Sequence, residues 1–75
     1  MTVTLTHVSI PPWSTIGYGQ GIDDEGRHVR FAGDHRPLRH LGEALARAEE
    51  PIPVEVEPWQ VLSIEEARRW TGRRS

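Results

Sequence analysis

Ile16-Gly17-Tyr18-Gly19-Gln20-Gly21-Ile22 is the stretch that decides how this chain is read. With a period of two, one face carries Ile16, Tyr18, Gln20 and Ile22, while the other carries only Gly17, Gly19 and Gly21. Such alternation marks a strand, here over about residues 15–23. A strand face without side chains lets another backbone, a packed ring or a ligand come very close. Asp23-Asp24-Glu25-Gly26 then reads as a hairpin turn, with Gly26 supplying a positive φ. On the return strand, Arg27 to Phe31, the alternation sends Val29 and Phe31 inward and His28 and Arg30 outward.

Upstream of this hairpin, Val3 and Leu5 share one parity and Val8 and Ile10 the other. A β-bulge near Thr6-His7 reconciles the two halves and bends the strand. Pro11-Pro12 ends it, and Trp13-Ser14-Thr15 lead into the glycine strand. Downstream, Gly33-Asp34 closes the return strand. Asp34 is placed to cap a helix over 35–50, with Pro37 in the first turn. Leu38, Leu41, Leu45 and Ala48 form its apolar stripe, opposite Arg39, Glu43 and Arg47. Pro51 stops it. Ile52, Val54 and Val56 alternate with Pro53, Glu55 and Glu57, a half-exposed strand whose proline suits an edge or a strand start. Pro58 shifts the phase, which makes Trp59 and Val61 the next inward pair. A final helix is expected over 63–72, capped by Ser63 and Glu66, stapled by Leu62 and Ala67, docked by Trp70 and ended by Gly72.

The expected order is β-β-β-α-β-α in a single domain, residues 1–75. Three meandering strands, a helix and a further strand suit a mainly β (α+β) architecture: a bent sheet or small, partly open barrel, OB-like or SH3-like. A chain of 75 residues has a small core, burying roughly 60% of its unfolded surface. That volume favours binding at a surface over an enzyme cleft.

Composition narrows the chemistry. There is no cysteine, hence no disulfide, zinc-thiolate site or cysteine nucleophile, which suits a cytoplasmic setting. Thr2 to Ile10 is not a secretory signal, and no stretch reaches the length of a membrane span. The formal charge is −2, and all nine basic residues are arginine. Codon bias in a GC-rich genome accounts for the arginines, and the net charge argues against a dedicated duplex-DNA binder. The charge is uneven. A basic middle (Arg27, Arg30, Arg36, Arg39 with His28, His35 and His40) precedes an acidic stretch (Glu43 to Glu57) and an arginine tail. That polarity suits steering towards a charged partner.

No catalytic or metal motif stands out. Gly17-x-Gly19-x-Gly21 opens no helix and lacks the βαβ setting of a dinucleotide fingerprint. The acids of the hairpin lack the spacing of a calcium loop and are explained by the turn. The histidines have no ligand spacing. Ser9, Ser14 and Ser63 lie in no nucleophile elbow, and Glu55 and Glu57 fall on one exposed strand face. The sequence therefore predicts a non-catalytic binding module with no cofactor and no metal.

Gly17-Tyr18-Gly19, then Ile22-Asp23-Asp24-Glu25-Gly26-Arg27 and Val29-Arg30-Phe31, resembles the middle of cold-shock domains. There a Gly-aromatic-Gly-aromatic strand runs through an acidic glycine turn into a Val-Phe-Val-His strand. The resemblance covers about fifteen residues, a fifth of the chain. Gln20 replaces a second aromatic, Arg30 interrupts the second motif, and the helix over 35–50 has no cold-shock counterpart. The resemblance implies single-stranded nucleic acid as ligand, with Tyr18 and Phe31 stacking on bases and Trp13 beside them. The residues allow the same reading, since Arg27, His28 and Arg30 interleave the aromatics. The alternative is a protein–protein adaptor or inhibitor, of phage or plasmid type, using an edge strand or an exposed tryptophan (Trp13, Trp59 or Trp70). Burial of Tyr18 and Phe31, with an apolar patch elsewhere, would favour the adaptor.

Overall fold

A computed structural model describes residues 1–66. Strands β1 (Thr2–Ser9), β2 (Ile16–Asp23) and β3 (Arg27–Asp34) form an antiparallel meander. Helix α1 (His35–Ala48) follows, then β4 (Ile52–Glu55), a single 3-10 turn (Pro58–Gln60) and β5 (Val61–Glu66). The five strands make one open antiparallel sheet in the order β4-β1-β2-β3-β5. β4 and β5 are therefore its two edges among the described residues, and Pro53 lies on an edge strand as its missing N–H requires.

The phase change in β1 is a bulge. Leu5 pairs with Gly21 and His7 with Gln20, leaving Thr6 unpaired. Its hydroxyl donates to the Gln20 carbonyl at 3.2 Å. The bulge lets Val3 and Leu5, then Val8 and Ile10, all lean on the core. The predicted hairpin also forms. Gly26 has φ +79°, and its N–H donates to the Asp23 carbonyl at 3.1 Å.

The bare glycine face of β2 looks into the core. A Cβ on Gly19 would enter the ring of Phe31, and one on Gly21 would strike the Thr4 carbonyl. A Cβ on Gly17 would come within 2.9 Å of the Leu38 Cβ. The glycines thus admit the Phe31 ring, a neighbouring backbone and the first turn of α1, in that place where only backbone fits. Val3, Leu5, Val29, Phe31, Leu38 and Val56 make the buried cluster. α1 lies across β1, β2 and β3, with Leu41 and Leu45 packed against that cluster.

Three expectations change. The helix predicted over 63–72 is strand in its first residues, Ser63 to Glu66; the rest of that range lies outside the described residues. Ser63 and Glu66 do offer a capping box, but pairing with β3 satisfies the same backbone groups and sets the half-buried Val61 opposite Phe31, against the core. Trp59 does not point inward: it sits on the 3-10 turn and is 79% exposed. Asp34 holds the N-cap position of α1 without a side-chain cap bond. The helix start is tied instead by the His35 N–H, which donates to the Thr15 carbonyl at 2.9 Å. At the other end the helix stops at Ala48, and Glu49 adopts a left-handed cap with its N–H on the Leu45 carbonyl.

Candidate functional site

The face of the sheet turned away from the core is built in rows, because directly opposed residues of an antiparallel sheet share a side. The register places His7, Gln20, Arg30 and Ser63 in one row across β1, β2, β3 and β5. A second row holds Thr4, Ile22, His28 and Glu65, and a third holds Ser9, Tyr18 and Ala32. The first row and the Ile22, His28 and Glu65 members of the second, with Thr6, line an open trough of about 640 Å³. Every side chain of the first row can donate a hydrogen bond: an imidazole, an amide, a guanidinium and a hydroxyl. Arg30 is exposed and has no ion-pair partner among the described residues. The trough is suited to an anionic or hydrogen-bonding ligand lying across the strands.

The six residues singled out from sequence are divided by the structure. His28 and Arg30 lie together in the trough. Tyr18 is on the same face, one row away, and half-buried. Trp13 lies in the β1–β2 connection, 85% exposed and outside the trough lining. Two assignments are corrected. Phe31 is 2% exposed, with its ring over Gly19 in the core, so it offers no face to a base. Arg27 is engaged by the turn: its Nε donates to Asp23 Oδ2 at 2.8 Å, and its backbone N–H donates to Asp23 Oδ1 at 2.8 Å.

Asp23 explains that engagement. Its side chain is fully buried. Burial works against its charge, but the Arg27 backbone N–H, the Arg27 guanidinium and the Glu25 N–H outweigh it, and the carboxyl is held below its ordinary value. Asp23 thus locks the hairpin turn. No group of three or more metal-ligating side chains forms among the described residues.

Sequence reasoning missed Gln60. Its amide oxygen accepts from the Glu57 N–H at 3.0 Å, and its amide nitrogen donates to the Ala32 carbonyl at 3.1 Å. One side chain therefore closes the 3-10 turn and ties it to β3, fixing the turn that displays Trp59. Gly33 leaves room for it, since a Cβ there would lie 2.9 Å from the Gln60 amide nitrogen. The available signal was Pro58-Trp59-Gln60 itself: proline opening a short turn with a glutamine at its third position.

Trp59 also borders a second, apolar groove of about 350 Å³, lined with Ile16, Pro37, Leu38 and Leu62. The groove brings the β4–β5 connection against the start of β2, directly after the connection that carries Trp13. Among the described residues, no helix is long and apolar enough to cross a membrane. Compared with family models, with curated proteins and with solved structures, the chain finds no match.

Proposed function

We propose that the protein is a non-catalytic module that binds single-stranded nucleic acid across the outer face of β2 and β3. The observation that carries the reading is the outer-face row of His7, Gln20, Arg30 and Ser63, in which Arg30 is exposed and has no ion-pair partner among the described residues, with the Tyr18 ring on the same face. Two indole rings, 85% and 79% exposed, stand in the β1–β2 and β4–β5 connections of a domain whose polar trough holds an uncommitted arginine. A large aromatic left in water loses the benefit of burial, and a base offers it a flat partner. In this reading the sheet is an OB-like one, with its helix between the third and fourth strands. That plan binds oligonucleotides with the face of strands two and three and these same two connections. Tyr18 supplies a third ring, Arg30 a phosphate contact, and His7, Gln20 and His28 hydrogen bonds. A single strand fits better than a duplex, because stacking needs unpaired bases and the chain is acidic overall.

A titration of tryptophan fluorescence with twelve-nucleotide single strands, beside a duplex of the same sequence, tests the proposal. Saturable quenching by the single strands that the duplex fails to match is expected. Absence of any response at high micromolar strand would refute it. The second reading, a protein adaptor, is favoured by a different observation: the apolar groove between Ile16, Leu62 and Trp59. Quenching by neither nucleic acid would move the function there.

A further inference from the structure

The two edges of the sheet are chemically unequal. β4 has four residues, includes Pro53, and carries Glu55, whose carboxylate accepts from the Met1 ammonium and the Thr2 hydroxyl, each at 3.1 Å. Shortness, proline and charge are the means by which natural edges avoid pairing. β5 has six residues and no proline. Every residue from Leu62 to Glu65 is exposed, whereas β1, β2 and β3 alternate over much of their length. Leu62 and Ile64, 56% and 40% exposed, leave apolar side chains in water along this edge. Among the described residues no strand lies beside the outward N–H and C=O groups of β5.

We propose that β5 pairs antiparallel with β5 of a second copy of this chain, about a two-fold axis through Ser63. The strand is complementary to itself in that register. Leu62 stands opposite the partner's Ile64, and Ile64 opposite the partner's Leu62, so apolar side chains meet apolar ones on both sides of the axis. Glu65 stands opposite the partner's Val61, so no carboxylate faces a carboxylate. A shift by one residue towards the C-terminus sets Glu65 against the partner's Leu62 and loses both Leu62–Ile64 matches, and a shift the other way sets Leu62 against the partner's Ser63 and leaves only Val61 to meet Ile64. Pairing of β5 with the partner's β4 is opposed by Pro53, so the assembly closes as a dimer and does not grow into a filament. Ser63 and Glu65 line the outer trough, and the pairing therefore joins the troughs of the two copies across the seam. The inference does not depend on what the trough binds.

The chain has no cysteine, which makes the test clean. Directly opposed strand residues have Cβ atoms about 4.5–5.5 Å apart, close enough for a disulfide after a small adjustment. Ser63→Cys would be oxidised under mild conditions beside Ser9→Cys, a control on the inner strand β1. Sedimentation of the wild-type chain would run from about 10 μM to about 1 mM, the range of weak association. The expected result is a concentration-dependent dimer, with Ser63→Cys cross-linking faster than the control by about tenfold or more, as held geometry raises effective concentration. Ile64→Lys should abolish both while leaving far-UV circular dichroism unchanged. Leu62→Lys serves the same purpose if the first variant fails to fold. A wild-type chain that stays monomeric throughout overturns the inference. So does a dimer in which the two cysteine variants cross-link at equal rates.

Discussion

β2 and β3 present two faces with opposite properties. On the inner face, Gly17, Gly19 and Gly21 hold no side chains, and Phe31 and Leu38 fill the space to contact distance. On the outer face the same strands carry Tyr18, Gln20, Ile22, His28 and Arg30, most of them open to water. The inner face tolerates no added atom, whereas the outer face leaves its donors unoccupied. The difference separates the packed side chains from the exposed ones residue by residue. It also shows why a glycine-rich strand that looks like a ligand cradle is instead a packing device, with the exposed polar side chains one residue out of phase.

Substitutions can break that separation, and the largest effect belongs to the inner face. Phe31→Ala should destabilise the fold by about 3–5 kcal/mol, enough to unfold a domain of this size. Denaturant unfolding followed by circular dichroism reads it; a folded Phe31→Ala chain that has lost only binding would invert the assignment of the faces. Next come the exposed rings. Trp13→Ala and Trp59→Ala should each weaken single-strand binding by about 1–3 kcal/mol, with thermal stability nearly unchanged, as titration calorimetry and melting curves would show. A smaller effect is expected from Gln60→Ala, which removes two hydrogen bonds of the Trp59 turn. It should cost about 1–2 kcal/mol of stability and lower the steady-state anisotropy of Trp59 in a chain with the other tryptophans replaced by phenylalanine. An unchanged anisotropy would mean that the turn is held by other contacts.

The smallest effect is electrostatic. The folded Asp23 carboxyl is held below its ordinary value. Its contribution is therefore complete above the unfolded pKa near ~3.9 and is lost as pH falls through the folded value. Melting temperatures recorded from neutral pH downwards should fall more steeply below about pH 4 for wild type than for Asp23→Asn. Parallel curves would show that the turn lock does not distinguish the two protonation states. Glu55 is shifted in the same direction by the Met1 ammonium and Thr2, so the double variant Asp23→Asn/Glu55→Gln should flatten the acid limb further.

Much of the fold was legible because period-two patterning and turn chemistry agree. The bulge at Thr6, the Gly26 hairpin, the inward Val29 and Phe31, the α1 stripe and the edge position of Pro53 all follow from local residues. β5 was not legible as a strand, because Ser63 to Glu66 carries a sound helix-start signal that only the long-range pairing with β3 overrides. The phase shift after Pro58 suits a strand that continues with Trp59 inward, whereas the chain makes a 3-10 turn there. At the candidate site, alternation alone separates His28 and Arg30 from Phe31. The withdrawal of Arg27 into the Asp23 turn depends on a side-chain hydrogen bond that spacing does not announce. The row joining His7 to Gln20 and Arg30 depends on register across the bulge, which only the assembled sheet supplies.

The central claim is that the outer face binds a single strand and that Arg30 contacts its phosphate backbone. The most direct measurement is the salt dependence of single-stranded oligonucleotide affinity for wild type and Arg30→Ala. Each phosphate neutralised contributes about −0.7 to the slope of log K against log salt concentration. The account predicts measurable binding by wild type, with a slope that becomes shallower by about that amount in Arg30→Ala. Identical slopes for the two proteins, or no binding by wild type at low salt, would contradict it.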